Sequence, residues 1–272
     1  MVCVRSAWLA LNGNTLLLED PSAGYFCSML DLGYPTPRDV VTNNPDANGA
    51  ADRTQYFGIR TVTIQLEALA GAGARVDEIA GLFGPYLDPA ARPVLHYILD
   101  RGSNPERTIT LRAAAFTAPV QGPYQRSIQL QYIAGDPVAY DPAVQSVTAT
   151  TTAHGTILSP GDLPARPLFR ITGPITVPVI AFLQVPPALP TWAFQFLSTF
   201  TVAAGHFVEI DSAARTVYLD GDPGQPRLSS LNWTGSSWQW IWPRVTTTMY
   251  LTGTGTSGAT QVVASWQDGY LT

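Results

Sequence analysis

The stretch from Thr191 to Asp220 constrains the fold of this chain more than any other part of the sequence. It begins with a Phe-rich apolar run that ends near Phe200, and Gly205 then interrupts the run. Apolar and polar residues alternate over Phe207–Ile210 and again over Thr216–Leu219, with a short polar turn between them. Alternation with period two on both sides of a turn predicts a β-hairpin with one buried face. A three-stranded meander of this kind needs a second sheet to cover its apolar face, so we expect an antiparallel β-sandwich in the second half of the chain.

The composition agrees with a folded protein that has an unusual surface. The chain has 272 residues, of which 46% are apolar, so two domains with real cores are possible. Only 13% of the residues are charged, against about 25% in a typical soluble domain. Two interpretations stay open: a surface rich in Thr, Ser, Asn and Gln, or a surface largely covered by sister copies and partners. The net charge of −5 argues against specific nucleic-acid recognition and against binding to an anionic membrane.

Cysteine usage predicts no disulfide framework. Cys3 and Cys27 are the only cysteines, and neither lies in a metal-binding spacing. We therefore expect two buried thiols in a reducing cytoplasm. No signal peptide and no membrane-spanning segment are predicted, so membrane insertion is not expected.

The first part of the chain is predicted to be mainly β with a single helix. A hairpin is expected over Trp8–Leu18, because its Asn-Gly turn supplies the positive φ angles of a type I′ turn. Gly33–Thr54 lacks apolar periodicity and is predicted to be a long loop. The one convincing helix is Arg75–Leu87, with an apolar stripe at three-to-four spacing and a Gly-Pro step that ends or kinks it. Further strands are predicted at Tyr25–Leu32, Tyr56–Leu69, Val94–Leu99, Arg107–Thr117 and Tyr124–Ile133.

Two Asp-Pro dipeptides within Gly135–Pro142 mark the predicted boundary between two domains, 1–142 and 143–272. The second domain reads as a series of short strands separated by turns, which is typical of a jelly-roll or galectin-like sandwich. The predicted strands outside the central meander are Ser146–Thr152, Leu168–Thr172, Ile175–Leu183, Trp238–Trp242, Thr246–Thr252 and Gln261–Trp266.

Two glycine-rich segments resemble phosphate-binding turns only in part. Gly253–Gly258 matches G-x-G-x-x-G, but a Val-rich strand follows it where a helix would be needed. Gly71–Val76 precedes the predicted helix but has Val76 in place of the third glycine. We expect loops at both places and predict no cofactor.

The titratable residues do not form a catalytic or metal-binding motif. His96, His154 and His206 are far apart, no G-x-S-x-G elbow is present, and all three are expected to be packed or surface residues. The carboxylates Asp211, Asp220 and Asp222 fall near turns, where they usually cap their own backbone. No catalytic residue and no metal ligand is predicted, and the chain is not expected to be an enzyme. An enzyme would become plausible if His154 met a buried carboxylate in a pocket.

Tryptophan is concentrated near the end of the chain, where five of the seven follow residue 230. Trp238, Trp240 and Trp242 would share one face of a strand by period two. Such a row is either an exposed platform for sugar or a ladder in a core or a subunit interface, and we favour the second.

Several segments, in their order along the chain, together resemble a known family, the distal tail proteins (Dit-like tail hubs) of long-tailed siphophages. Beside the lone helix, the segments that carry the likeness are Phe57–Ile64, Gly135–Tyr140, Leu163–Gly173, Gly205–Gly221 and Val262–Trp266. One departure is Pro243-Arg244, where the family often has Pro-Gly.

The resemblance implies a structural protein of the virion tail tip that is assembled in the host cytoplasm. It implies an N-terminal β-sandwich or split-barrel-like domain with one helix, and a C-terminal galectin-like sandwich. The first domains would form a ring, usually hexameric, around a channel that lets DNA pass, with the tail tube protein on one side and tail-tip hub proteins on the other. The alternative is a carbohydrate-binding module that recognises host cell-wall glycan through the Trp-rich C-terminal domain.

Overall fold

The computed structural model describes residues 4–35, 37–38, 41–43, 50–52, 56–69, 76–100, 105–122, 124–185 and 192–271. The chain divides into two compact units, unit 1 with residues 1–142 and 271–272, and unit 2 with residues 143–270. Cys3 and the glycines of the Gly71–Val76 motif lie outside the described residues.

Unit 1 is built almost entirely from strands. Its strands are β1 (Val4–Leu11), β2 (Asn14–Leu17), β3 (Tyr25–Asp31), β4 (Pro37–Arg38), β5 (Val41–Asn43), β6 (Ala50–Asp52), β7 (Tyr56–Phe57), β8 (Arg60–Leu69), β9 (Val94–Leu99), β10 (Glu106–Thr110), β11 (Arg112–Thr117), β12 (Val120–Gly122), β13 (Gln125–Ala134) and β14 (Ala139–Tyr140). Within the unit, sheet I has the order β2-β1-β9-β10-β14, and sheet II has the order β11-β13-β8-β3 with β12 paired to β13.

The predicted strands of unit 1 are confirmed, with three corrections. The predicted strand Tyr56–Leu69 is two strands, because β7 pairs with β4 whereas β8 belongs to sheet II. The stretch Arg107–Thr117 is two strands, because the chain leaves β10 at the buried Leu111 and enters the other sheet as β11. The predicted long loop Gly33–Thr54 contains short strands where the structure describes it, since β4 pairs with β7 and β5 pairs with β6.

The hairpin at the start of the chain forms as its turn residues predict. Leu11 pairs with Asn14, and the two residues between them take positive φ angles, 50° at Asn12 and 82° at Gly13. These are the angles of a type I′ turn, whose twist matches that of the flanking strands.

The helix is shorter than the apolar stripe predicts. Helix α1 spans Val76–Leu82, and a 3₁₀ helix over Gly84–Leu87 follows it. Pro85 lacks the N–H that a continuing α-helix would use, so the helix changes type at the Gly-Pro step. The buried residues Ile79, Phe83 and Tyr86 come from this segment, and the Phe83 ring meets Tyr25 of β3 at 5.8 Å between centroids.

Unit 2 is an antiparallel β-sandwich. Its strands are β15 (Gln145–Thr150), β16 (Gly155–Ile157), β17 (Leu168–Thr172), β18 (Ile175–Val185), β19 (Trp192–Gln195), β20 (Thr201–Val202), β21 (Phe207–Asp211), β22 (Thr216–Leu219), β23 (Thr246–Thr254), β24 (Gln261–Trp266) and β25 (Gly269–Tyr270). Sheet III has the order β15-β24-β17-β21-β22, and sheet IV has the order β16-β23-β18-β19 with β20 paired to β18.

One hydrophobic core lies between sheets III and IV. Phe169 of β17 is fully buried, and its ring meets Phe182 and Phe194 of sheet IV at 5.5 and 5.6 Å between centroids. Val208, Ile210 and Val217 are buried on the core side of the hairpin, as their alternation predicts.

The predicted three-stranded meander is only partly right. The hairpin β21-β22 forms, with Val208 opposite Leu219 and Ile210 opposite Val217. The Phe-rich run forms β19, which belongs to the opposite sheet, where it pairs with β18. The alternation of a strand shows which of its faces is buried, whereas its hydrogen-bonding partner depends on contacts that are distant in sequence.

The predicted strand at Trp238–Trp242 is wrong. This segment has no regular strand and meets its neighbours only through isolated bridges, such as the one between Ala165 and Ile241. The three tryptophans therefore do not share a strand face. Trp238 packs against the core, Trp240 lies under the Arg166 guanidinium at 4.5 Å, and Trp242 is exposed.

Candidate assembly surface

The histidines lie apart and each has a local partner. His96 Nδ1 is 2.7 Å from Glu106 Oε1, and the imidazole stacks on Trp8 with centroids 5.1 Å apart. His206 Nδ1 is 2.7 Å from Asp220 Oδ2 on the next strand of the hairpin. His154 is exposed and contacts the Tyr250 ring at 4.2 Å. The contact that would have made an enzyme plausible, His154 on a buried carboxylate, is not formed.

Two of the three carboxylates singled out by sequence cap their own turns. Asp211 Oδ1 accepts hydrogen bonds from the N–H groups of Ala213 and Ala214, and Asp222 Oδ1 accepts one from Gly224. In the described part of the chain, no group of three or more His, Cys, Asp or Glu residues is placed to hold a metal ion.

Asp220 follows β22, and its carboxylate contacts residues at the start of β21. Its carboxylate accepts a hydrogen bond from the Phe207 N–H at 3.0 Å and contacts His206. The backbone hydrogen bond and the pairing with His206 lower the pKa of Asp220, because both favour the charged form. The pair thus links the start of β21 to the end of β22.

Cys27 is less buried than predicted. The thiol is half-buried on β3 and lies 3.4 Å from the Met29 carbonyl oxygen. Burial raises its pKa to about 11, so the thiolate that a nucleophile or metal ligand requires is rare at neutral pH.

A buried arginine was not anticipated from the sequence. Arg60 begins β8 and is fully buried, and it donates a hydrogen bond from Nη2 to the Leu271 carbonyl. Burial lowers its pKa, and burial also raises the pKa of the neighbouring Tyr97 to about 12. The sequence around Arg60 gives no signal of this burial, because the burial depends on contacts with residues such as Leu271 that are distant in sequence.

The outward face of sheet II is mostly polar, and its charged residues, among those described, are Asp31, Glu67 and Arg112. Its central rows pair Gln65 with Gln129 and Thr63 with Gln131 across β8 and β13. The opposite face carries buried apolar residues such as Ile64 and Leu130, so the alternation of both strands separates core from solvent. The amide and hydroxyl side chains in the middle of this face offer hydrogen bonds, and its few charges are of both signs.

Both edges of sheet II expose apolar side chains. Edge strand β3 presents Phe26 and Met29, which are 39% and 37% exposed, and edge strand β11 presents Phe116, which is 40% exposed. A sheet edge also offers backbone N–H and C=O groups to an added strand. Exposed apolar residues therefore lie at both edges, Phe26 and Met29 on the outward face of the sheet and Phe116 on the opposite face.

The outward face of sheet I carries a second, smaller apolar row. Leu17 lies opposite Trp8 across β2 and β1, and Trp8 lies opposite His96 on β9. Leu17 is half-exposed, whereas Trp8 is covered in part by the His96 ring. This row is a further apolar surface of unit 1.

None of the helices in the described part of the chain has the length and hydropathy needed to span a bilayer.

No family model matches the sequence, and no curated protein matches it. The structure does match solved structures over nearly its whole length. The crystal structure of the Dit protein of phage SPP1 superposes with a TM-score of 0.66 at 12% identity, covering 97% of this chain and 99% of that one. The chain has a Dit-type fold.

The SPP1 protein is described as a paradigm of the hub adsorption apparatus in phages that infect Gram-positive bacteria. A chain of the phage P2 baseplate in its activated conformation also matches, with a TM-score of 0.48, 10% identity and 98% coverage of both chains. The Dit-type fold confirms the fold class expected from the sequence, mainly β with one helix among the described residues and a β-sandwich in unit 2.

Proposed function

We propose that this protein is the structural hub of a phage tail tip, a self-assembled ring that joins the tail tube to the tip apparatus. The observation that carries the proposal is the likeness to SPP1 Dit over almost the full length of both chains. A likeness confined to one sandwich would have little functional meaning, because sandwiches host many activities. A likeness that includes both units and their order is much more restrictive.

The ring forms by a head-to-tail contact between edge strands of sheet II. Strand β3 of one copy meets β11 of the next, so that the edge with Phe26 and Met29 adjoins the edge with Phe116. Phe26 and Met29 lie on the outward face of the sheet, and Phe116 lies on the opposite face, so each would pack against the adjoining strand. A contact between two different surfaces of identical subunits rotates each subunit relative to the one before. The assembly closes into a ring when a whole number of these rotations makes one full turn. Six copies would give the hexamer that the sequence resemblance implies.

The Thr- and Gln-rich face of sheet II lines the channel of this ring. Repeated around the ring, the rows that include Gln129 and Gln131 would present amide groups to passing DNA. Such a lining has two carboxylates and one arginine among its described residues, so it neither holds the phosphate backbone, as an arginine-rich surface would, nor repels it strongly. The genome can therefore move through without being held.

The two units divide the work of a hub. Residues 1–142 form the ring, and residues 143–272 form the galectin-like sandwich. The ring binds the tail tube protein on one face and tail-tip hub proteins on the other, in the virion tail, after assembly in the host cytoplasm. The role is mechanical and not enzymatic, and recognition of a DNA sequence has no part in it.

Electron microscopy of the purified chain tests this proposal when it is combined with edge variants. The wild type is expected to form rings with a central hole. Met29→Glu and Phe116→Glu each place a charge in the proposed contact and are expected to abolish the rings, because the buried charge has no partner.

Leu158→Glu is the matched control, since Leu158 is exposed on unit 2 and lies outside the proposed contact. It should leave the rings intact. Rings that survive both edge variants would reject the proposed contact, and a wild type that stays monomeric with tube and tip proteins present would reject the hub.

A carbohydrate-binding role is the alternative. The row of Trp238, Trp240 and Trp242 that suggested it is not formed, since the segment is not a strand. The observation that favours it now is a different residue, Trp233, whose side chain is about half exposed.

A further inference from the structure

Trp233 lies in a tightly held turn of unit 2. The Gly235 N–H donates to the Asn232 carbonyl at 3.1 Å, which closes the turn, and the Thr234 N–H donates to Asn232 Oδ1 at 3.2 Å. The residue before the turn, Leu231, is buried and bridges to Phe196. The backbone around Trp233 is therefore fixed on both sides.

The turn is also fastened to the end of β19 through Gln195. The Gln195 carbonyl accepts hydrogen bonds from the Asn232 N–H at 2.8 Å and from the Ser236 hydroxyl at 3.1 Å. The Gln195 N–H donates to Ser236 Oγ at 2.9 Å, and Asn232 Nδ2 donates to Gln195 Oε1 at 3.3 Å. A turn held by four such bonds has little conformational freedom left to lose when a ligand binds.

The Trp233 side chain is 49% exposed although its position is fixed. Its ring contacts Trp238, with centroids 5.8 Å apart and planes tilted by 56°. Trp238 in turn packs edge-on against the buried Phe194 at 5.8 Å. The core thus supports Trp238, and Trp238 supports Trp233 from one side, which leaves the other side of the outer ring to solvent.

The segment that carries this ring is polar and contains no charged residue. No Asp, Glu, Lys or Arg occurs between Arg227 and Arg244 in the sequence. The side chains around the turn are amides and hydroxyls, from Gln195, Asn232, Thr234 and Ser236. Among the described residues, Gln195 Nε2 and the Thr234 hydroxyl make no hydrogen bond within the protein.

We propose that Trp233 is a stacking platform for one pyranose ring of an uncharged glycan. A pyranose has one face of C–H groups, which packs on an aromatic ring, and hydroxyls at its rim, which suit amides and hydroxyls. The lack of charged residues in the segment that carries Trp233 favours neutral hexoses and N-acetylhexosamines over acidic sugars. The exposed area is a single ring, far smaller than the roughly 800 Å² per partner of a stable protein interface. The platform does not depend on ring assembly.

The test is a fluorescence and calorimetric titration of the intact protein with neutral tri- to hexasaccharides of glucose, galactose, rhamnose and N-acetylglucosamine. The wild type is expected to bind at least one of them saturably. Trp233→Ala should weaken that binding at least about tenfold, which corresponds to about 1.4 kcal/mol. Trp233→Phe keeps a stacking ring and should retain most of the affinity.

Trp242→Ala is the matched control, because Trp242 is also exposed, at 38%, but belongs to no aromatic pair that supports it. It should bind like the wild type. The melting temperature of each variant shows whether unit 2 remains folded. The proposal fails if no saccharide of the panel binds, or if Trp233→Ala binds as well as the wild type does. Rings that form normally while the sugar fails to bind would reject the platform and leave the hub untouched.

Discussion

Phe169 is the residue on which the packing of unit 2 depends most directly. It is fully buried and touches aromatic rings of the facing sheet through Phe182 and Phe194. Phe169→Ala removes a ring from a closely packed interior, and the surrounding strands cannot collapse fully into the space. We expect the free energy of unfolding of unit 2 to fall by about 3–5 kcal/mol.

Urea unfolding followed by tryptophan fluorescence measures this change, since six of the seven tryptophans lie in unit 2. The control is Leu228→Ala, because Leu228 is exposed, and its effect should stay within about 0.5 kcal/mol. Equal effects of the two substitutions would show that the core is not where the structure places it.

Asp220 gives unit 2 a pH dependence whose sign follows from its partners. Its pKa is lowered below the ordinary value of 3.8, chiefly by the Phe207 N–H and then by His206. A carboxyl group whose pKa is lower in the folded protein stabilises the fold at pH values above its pKa in the unfolded chain. This stabilisation is lost as the pH falls through the pKa that the group has in the folded protein. The wild type should therefore exceed Asp220→Asn in stability at pH 6, and the gap should close towards pH 2.

The asparagine variant keeps an oxygen that can accept the Phe207 N–H, so the comparison isolates the charge. Thermal unfolding of both proteins across this pH range checks the expectation. A gap that is constant with pH would mean that the carboxylate has no altered pKa in the folded protein.

Single residues were the least predictable level of this structure. The Pro243-Arg244 step, where the family often has Pro-Gly, shows why. Arg244 takes a positive φ of 60°, the conformation that glycine adopts easily, and its guanidinium contacts Asp162 at 2.9 Å. The backbone geometry at this point can thus persist without the glycine that would have revealed it.

At the scale of the elements, two glycines should respond to substitution in opposite directions. Gly13 has a φ of 82° in the β1-β2 turn, where a Cβ is strained, so Gly13→Ala should destabilise unit 1 by about 1 kcal/mol. Gly81 lies in helix α1 with nothing within 4 Å of an added Cβ, so Gly81→Ala should stabilise it by about 0.4–1 kcal/mol.

Hydrogen exchange of unit 1 amides distinguishes the two glycine variants, because it reports each element separately. Each substitution is the control for the other, since both add a single methyl group. Two destabilising results would contradict the assigned helix, and two neutral results would contradict the type I′ turn.

The outward face of sheet II predicts how the proposed channel behaves towards DNA. The proposed wild-type ring should not bind duplex DNA at physiological salt, because the described part of this face has one arginine against two carboxylates. Gln129→Arg combined with Gln131→Arg adds two positive charges at alternate positions on the outward face of β13. These rings should bind duplex DNA, and the binding should weaken steeply with salt.

Fluorescence anisotropy of a labelled duplex measures this binding. Arg replacements at Thr148 and Thr156, which are exposed residues of unit 2, add the same charge to a different unit of the chain. Binding gained equally by both double variants would mean that the sheet II face has no special access to DNA.

Elements were predicted well where their signal is local. The Asn12-Gly13 turn, the β21-β22 hairpin and the strand Gln261–Trp266 follow from residues that are adjacent in sequence. Elements failed where long-range pairing decides, as in the transfer of β19 to sheet IV and in the irregular course of Trp238–Trp242. The tryptophans alternate as in a strand, but among the described residues this segment forms only isolated bridges, so the alternation alone was misleading.

At the scale of the whole molecule, the order of many weak features predicted the Dit-type fold although only 12% of residues are identical to SPP1 Dit. The surfaces proposed for assembly could not be predicted in this way. Phe26, Met29 and Phe116 are ordinary apolar strand residues in the sequence, and they become notable only because β3 and β11 end sheet II. Which strand is an edge depends on the pairing of the entire sheet.

The low share of charged residues is consistent with a molecule whose surface is partly covered in an assembly. Charged residues make up only 13% of the chain, and exposed apolar residues lie at both edges of one sheet. A free monomer with such a surface would be prone to non-specific association. The proposed closed ring would cover those edges and so prevent that association.

The mass of the intact particle is the most direct measurement of the central claim. Light scattering coupled to size-exclusion chromatography, repeated by native mass spectrometry, gives the number of copies. The hub predicts one dominant species at six times the chain mass of 29.2 kDa, which Phe116→Glu converts to monomer. A wild type that remains at the mass of one chain at every concentration, alone and with tube and tip proteins, would contradict it.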